Sequence, residues 1–171
     1  MSFGTTRGAA ALRSINLMLA VLAALAPIAH VLELPNKLAL DAPLWLAVQQ
    51  HLYRGWGPFL GGPAEIAALA TTLALLVVRR DPATRRLTLV AAVAYAAMIA
   101  AFFVFNDPVN AALNGWTPAD IPADWTRYRL RWESGHALAA ACAVVALALL
   151  VRAWLIERDW AVAARGRPPH A

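Results

Sequence analysis

Arg79-Arg80-Asp81-Pro82-Ala83-Thr84-Arg85-Arg86 decides the fold. Its four Arg stand between two apolar stretches, Pro58 to Val78 and Leu87 to Phe105. Each stretch approaches the ~20 residues that cross a bilayer. A connection this short makes the two an antiparallel hairpin, and its charge holds the link on the cytoplasmic side. Working outward, Leu12 to Leu34 and Gly135 to Ile156 are apolar stretches of similar length. With 61% hydrophobic residues and a mean hydropathy of +0.56 over 171 residues, the chain is far more apolar than a soluble domain. The reading is an all-α, four-span transmembrane helix bundle: a single membrane domain, 1–171, with spans near 12–34, 58–78, 87–105 and 135–156. Short extramembrane helices lie on its outer face, and 160–171 reads as a disordered tail.

The first span begins with Arg7 and Arg13, as a signal peptide would. It lacks a small-x-small cleavage site followed by a polar mature domain, so it reads as a retained span. Four spans put both termini on one side. The hairpin loop, the N-terminal segment and the C-terminal end hold ten of the fifteen basic residues. The outward segments hold Lys37, Arg54, Arg127, Arg129 and Arg131 against seven acidic residues. That asymmetry makes both termini cytoplasmic, in a multi-pass protein of a bacterial inner membrane. It also accounts for the net charge of +5, so nucleic acid is not implied. The lone Cys142 lies in an apolar run, reads as a core residue and excludes an intramolecular disulfide.

The outward segments carry their own structure. Asp41-Ala42-Pro43 predicts a capped short helix. Asn106-Asp107-Pro108-Val109-Asn110 predicts a turn after the third span. From Pro122 helical spacing resumes, putting Trp125, Arg129, Trp132 and His136 on one stripe toward the bundle.

Two short motifs mirror each other at the outer depth. His30-x-x-Glu33 ends the first span, and Glu133-x-x-His136 begins the last. Residues three apart share a helix face, and ionisable groups in a span are functional candidates. Glu65 opens the second span outward; Asn106, Asp107 and Asn110 close the third. Asn16, Thr71, Thr72, Thr88 and Tyr95 are scattered elsewhere.

Three chemistries suit such a cluster. The first is one iron, zinc or manganese ion held by His30, Glu33, Glu65, Glu133 and His136, similar to a four-helix carboxylate site. The second is a haem b held by His30 and His136. The third has no cofactor: His and Glu act as acid and base on a lipophilic molecule, and Arg129 steadies an oxyanion. Trp125, Trp132, Phe102 and Phe103 would wall the pocket. Against all three stands a structural reading, in which Arg129 and Glu133 form a helix salt bridge and Asn106 and Asp107 shape a turn. His51 reads as an exposed loop-helix residue, and His170 as inert. A metal needs the ligands to converge; a substrate needs an apolar cavity beside them. The structural reading needs the same groups bonded to one another with no cavity.

The run Asn106-Asp107-Pro108-Val109-Asn110, then Trp116 and Trp125-x-x-x-Arg129-x-x-Trp132-x-x-x-His136, resembles the signature of the anthrone oxygenase-like membrane proteins, a domain-of-unknown-function family. Ala29-His30-Val31-Leu32-Glu33-Leu34-Pro35-Asn36-Lys37 is similar to the first-span ending of its bacterial branch. The resemblance covers about Leu12 to Ile156. It implies a four-helix membrane bundle, with Asn110, Arg129, Trp132 and His136 as matching positions. It also implies oxidation of a hydroxyaromatic by dioxygen without an obvious cofactor, since fungal members oxidise anthrones to anthraquinones. The family varies at the His30 and Glu33 positions.

The expected function is an oxidoreductase, oxygenase-like, on a lipophilic aromatic or quinone-like molecule. His30 and His136 are bases or ligands, and Glu33 and Glu133 acids or ligands. Arg129 stabilises the anion, while Asn110 and Asn106 orient substrate. The alternatives are a non-catalytic metal- or haem-binding membrane protein and a small subunit of a membrane complex. Small residues in spans three and four permit a homo-oligomer as well as internal packing.

Overall fold

The computed structural model describes residues 7–165, which form helices and, among them, no strand. Helix α1 runs Arg7–Leu38 and α2 Ala42–Ala47, continued by a π-helical turn Val48–Leu52. A second π-helical turn, Gly57–Gly61, leads into α3, Gly62–Val78. Helix α4, Pro82–Ala101, passes through a third, Phe102–Asn106, into α5, Asp107–Leu113. Helix α6 runs Trp125–Arg165.

Four helical stretches are long and apolar enough to cross a membrane: Arg7–Leu38, Ala42–Val78, Pro82–Leu113 and Trp125–Ala163. They contain the four spans read from sequence. Helices α1, α3, α4 and α6 pack in a ring, each against two neighbours. The inside of the ring is built largely of Ala: Ala20, Ala23, Ala68, Ala91, Ala143 and Ala146 are buried, with Tyr95, Met98 and Leu150 among them. Small side chains let the backbones approach without a large apolar core. Ala139 and Ala140 are buried too, whereas Ala96, Ala97 and Ala141 face outward. Cys142 packs against this core as expected. Large apolar side chains such as Val77 and Leu32 cover the outside, a surface suited to lipid.

The polar residues that look scattered along the sequence meet across helices. The Asn16 side chain donates to Thr71 Oγ1 at 3.0 Å and Thr72 Oγ1 at 2.9 Å, tying α1 to α3. At the end of the bundle where α1 begins and α6 ends, Arg13 meets Glu157 at 2.7 Å and Arg79 meets it at 2.9 Å. Arg79 also donates to Thr88. Burial pushes the Arg79 pKa down, and the Glu157 carboxylate opposes that shift. One Arg of the hairpin loop is thus turned into the bundle.

The other end is capped by a second, aromatic core: Trp45, Leu46, Tyr53, Val109, Leu113 and Trp132. Helix α2 forms where the sequence predicts it. Asp41 accepts from the Leu44 N–H at 3.0 Å, and Pro43 sits in the first turn. Gln50 Nε2 donates to the Leu113 and Trp116 carbonyls at 2.8 and 3.0 Å, holding this cap to α5. Gly55 takes a φ of 90° where the chain reverses, a conformation that disfavours a side chain.

Three expectations are corrected. The chain does not turn at Asn106–Asn110; Pro108 occupies the first turn of α5, where a missing N–H costs nothing. The helix of the first span does not stop at Leu34: α1 continues through Pro35 to Leu38. Helix α6 reaches Arg165, so 160–165 is helical; the rest of the predicted tail, including His170, lies outside the described residues.

Candidate functional site

The extra turn of α1 changes the site. Lys37, read from sequence only as a loop charge, lies one turn past Glu33 and points inward. Its Nζ meets Glu133 Oε2 at 2.8 Å, with the side chains 4% and 6% exposed. The ammonium lies 5.0 Å from the Trp132 ring centre and 5.7 Å from that of Tyr53. Such a buried pair is costly to desolvate and persists only when both charges are well partnered.

Arg129 reaches the end of α1. Its Nη1 lies 3.1–3.3 Å from the carbonyls of Lys37, Leu38 and Leu40, and its guanidinium stands 4.5 Å from the Trp125 ring centre. A cation there satisfies orphan carbonyls and complements the negative helix end. Trp125 packs on Trp45 at 5.7 Å between ring centres. The Asn106 side chain donates to the Trp132 carbonyl at 2.9 Å. Gly135 makes room for this contact: a Cβ there would lie 2.7 Å from Phe105 Cβ. Tyr53 donates its hydroxyl to Glu33. In this half of the cluster Glu133 is held by Lys37, Glu33 by Tyr53 and Arg129 by the α1 carbonyls, while Glu133 Oε1 and Arg129 Nε have no hydrogen-bond partner among the described residues.

The other half opens on a cavity of about 860 Å³. His30, Glu65, Phe102, Phe103, Asn110, Trp132 and His136 line it, so seven of the sequence-derived candidates share one space. Arg129, Glu133, Glu33, Asn106 and Trp125 do not line it. The rings of His30 and His136 lie 4.1 Å apart, and each lies within 5 Å of the Trp132 ring, centre to centre. The mirrored motifs therefore meet through their His members. The Trp132 indole N–H donates to Asn110 Oδ1 at 2.9 Å. That bond occupies the amide oxygen and leaves the Asn110 NH2 group to donate elsewhere.

All three π-helical turns border the cavity, through Gln49, Gly61 and Phe102 among others. A π-helical turn widens the local helix, and such turns recur at functional sites. Gln49 was not apparent from sequence. It is buried on the cavity wall, and its Nε2 has no partner among the described residues. The rim is of two kinds. Ile66 and Phe103 are 63% and 61% exposed on the apolar outside of the bundle, while His51, Arg54 and Asn114 are exposed polar residues. The exposure expected of His51 holds, and it also reaches the rim.

The expected metal site is not assembled. Among the described residues no group of three or more His, Cys, Asp or Glu is placed to hold an ion. Glu133 is engaged by Lys37 and does not join the imidazoles, while Glu33 accepts from Tyr53 and approaches only His30, Oε2 to Nδ1 at 3.7 Å. A bis-histidine haem does not fit either. Its axial rings must stand on opposite faces of a porphyrin, whereas His30 and His136 contact each other directly.

What the arrangement can do is bind an apolar, oxygen-bearing molecule against two imidazoles and two amide donors. Water would be largely displaced by the aromatic walls. The chain matches no family model, no curated protein and no solved structure.

Proposed function

We propose that this chain is an inner-membrane oxidoreductase of a bacterium, with both termini cytoplasmic. It draws a lipophilic hydroxyaromatic or quinone-like molecule from the bilayer into the outer-face cavity. One observation carries this reading: the paired imidazoles of His30 and His136, 4.1 Å apart, on the wall of a mainly apolar cavity. The rim residues Ile66 and Phe103 give that cavity an edge against lipid.

In this reading His136 or His30 accepts the proton of the bound hydroxyl as general base. The Asn110 NH2 and Gln49 Nε2 groups donate to the developing oxyanion, the task first assigned to Arg129. Trp132 and Phe102 hold the ring. Dioxygen is the electron acceptor: a hydroquinone gives it two electrons and gives its two protons to the imidazoles, and the reduced oxygen takes two protons from outer water to leave as hydrogen peroxide beside the quinone.

The test is oxygen uptake by the protein in lipid nanodiscs against a panel of lipophilic phenols and hydroquinones. The reading expects uptake by the wild-type protein that falls on the order of 10²-fold or more in His30→Ala, His136→Ala. Equal uptake by both proteins overturns it.

A further inference from the structure

His30 has a ring nitrogen with no destination inside the cavity. Its Nδ1 is buried and has no hydrogen-bond partner among the described residues. Glu33 Oε2 stands 3.7 Å from it, one turn further along α1. The two side chains differ sharply in exposure, 4% for His30 and 40% for Glu33. Glu33 lies outside the cavity lining, so its carboxylate stands between the buried His30 ring and the outer surface.

The neighbours hold Glu33 in that position. Tyr53 donates its hydroxyl to the same oxygen that faces His30. Lys37, which could otherwise capture Glu33, is bound to Glu133. Glu133 offers no comparable way out, since its side chain is 6% exposed and fixed by that ion pair. Glu65 lies on the cavity wall on α3, with no ion pair or hydrogen bond to either imidazole.

We propose that Glu33 is the proton exit of the cavity, a positioning residue that acts through His30. The proposal rests on the general-base reading above. The step is proton transfer with no change of oxidation state. The ligand's O–H bond breaks as an N–H bond forms on His136. His136 passes a proton to the adjoining His30 ring. The Nδ1–H bond of His30 then breaks as an O–H bond forms on Glu33 Oε2, and the carboxylic acid releases its proton to outer water. A base that cannot lose its proton acts once; this chain resets it.

The experiment uses the full chain in nanodiscs, with 1,4-naphthohydroquinone as the reporter substrate. Oxygen uptake reads turnover. Quenching of tryptophan fluorescence by 1,4-naphthoquinone reads cavity binding, because Trp56 and Trp132 line the cavity. Glu33→Gln is expected to leave quenching unchanged and to lower uptake at least about tenfold. Glu33→Asp should recover most of the uptake. Added formate should restore Glu33→Ala, which a purely structural role for the carboxylate would not allow. Wild-type uptake by Glu33→Gln, with His136→Gln inactive, overturns the exit and leaves the base reading standing. Failure of formate to restore Glu33→Ala also overturns the exit. Absence of any uptake that depends on His136 overturns both.

Discussion

Lys37 and Glu133 form a buried ion pair across α1 and α6, Nζ to Oε2 at 2.8 Å. Removing one partner strands the other charge away from water. Lys37→Met is expected to destabilise the protein by about 3–5 kcal/mol. Replacing both residues, Lys37→Met with Glu133→Leu, should recover much of that loss. Thermal unfolding of the three proteins in one detergent checks the order.

Gly135 is where α6 crosses the π-helical turn Phe102–Asn106. A Cβ there would lie 2.7 Å from Phe105 Cβ and 2.8 Å from Asn106 Cγ, so one of the segments must shift. Gly135→Ala should cost about 1–3 kcal/mol as an overpacking change. It should also weaken naphthoquinone quenching, because the Asn106 side chain fixes the α6 backbone at Trp132 through its carbonyl. A variant as stable as wild type with unchanged quenching would contradict this account of the crossing.

Arg129 holds the end of α1 through three carbonyls. Arg129→Met should destabilise by about 1.5–3 kcal/mol, the scale of hydrogen bonds from a charged group. Its effect on oxygen uptake should follow that loss of folded protein and no more. Uptake abolished in fully folded Arg129→Met would return Arg129 to the chemistry.

Orientation is tested by alkaline phosphatase fusions in a bacterial host. Fusion after Gly115, in the segment between α5 and α6, should be active. Fusions after Arg80 and after Arg158 should be inactive. The reverse pattern would put the cavity on the cytoplasmic face.

The four helices were legible because each apolar stretch is long, and the Arg-rich link between α3 and α4 leaves only one hairpin. The convergence of His30 and His136 was legible as well. With four spans, both must lie at one depth, and the stripe from Trp125 to His136 fixes the facing side. Lys37 was not legible. Pro35 reads as the end of a helix, since it lacks an N–H and crowds the preceding turn. Helix α1 runs through it, which membrane helices tolerate when neighbours satisfy the freed group. The extra turn carried Lys37 inward and removed Glu133 from the expected ligand set. Helix α5 was misread for a related reason, since the Asn-Asp-Pro signal that marks a turn also starts a helix. The π-helical turns and Gln49 left no periodic trace at all.

The central claim is that a lipophilic aromatic molecule seats in the cavity beside His30 and His136. The most direct measurement is a naphthoquinone titration of tryptophan fluorescence in nanodiscs, comparing wild type with Ala26→Phe. Ala26 is buried on the cavity wall, so the added ring takes the space a ligand would fill. The account predicts saturable quenching in wild type that Ala26→Phe abolishes while it remains folded. Quenching that rises without saturation, and equally in both proteins, would mean simple partitioning into lipid and would contradict the claim.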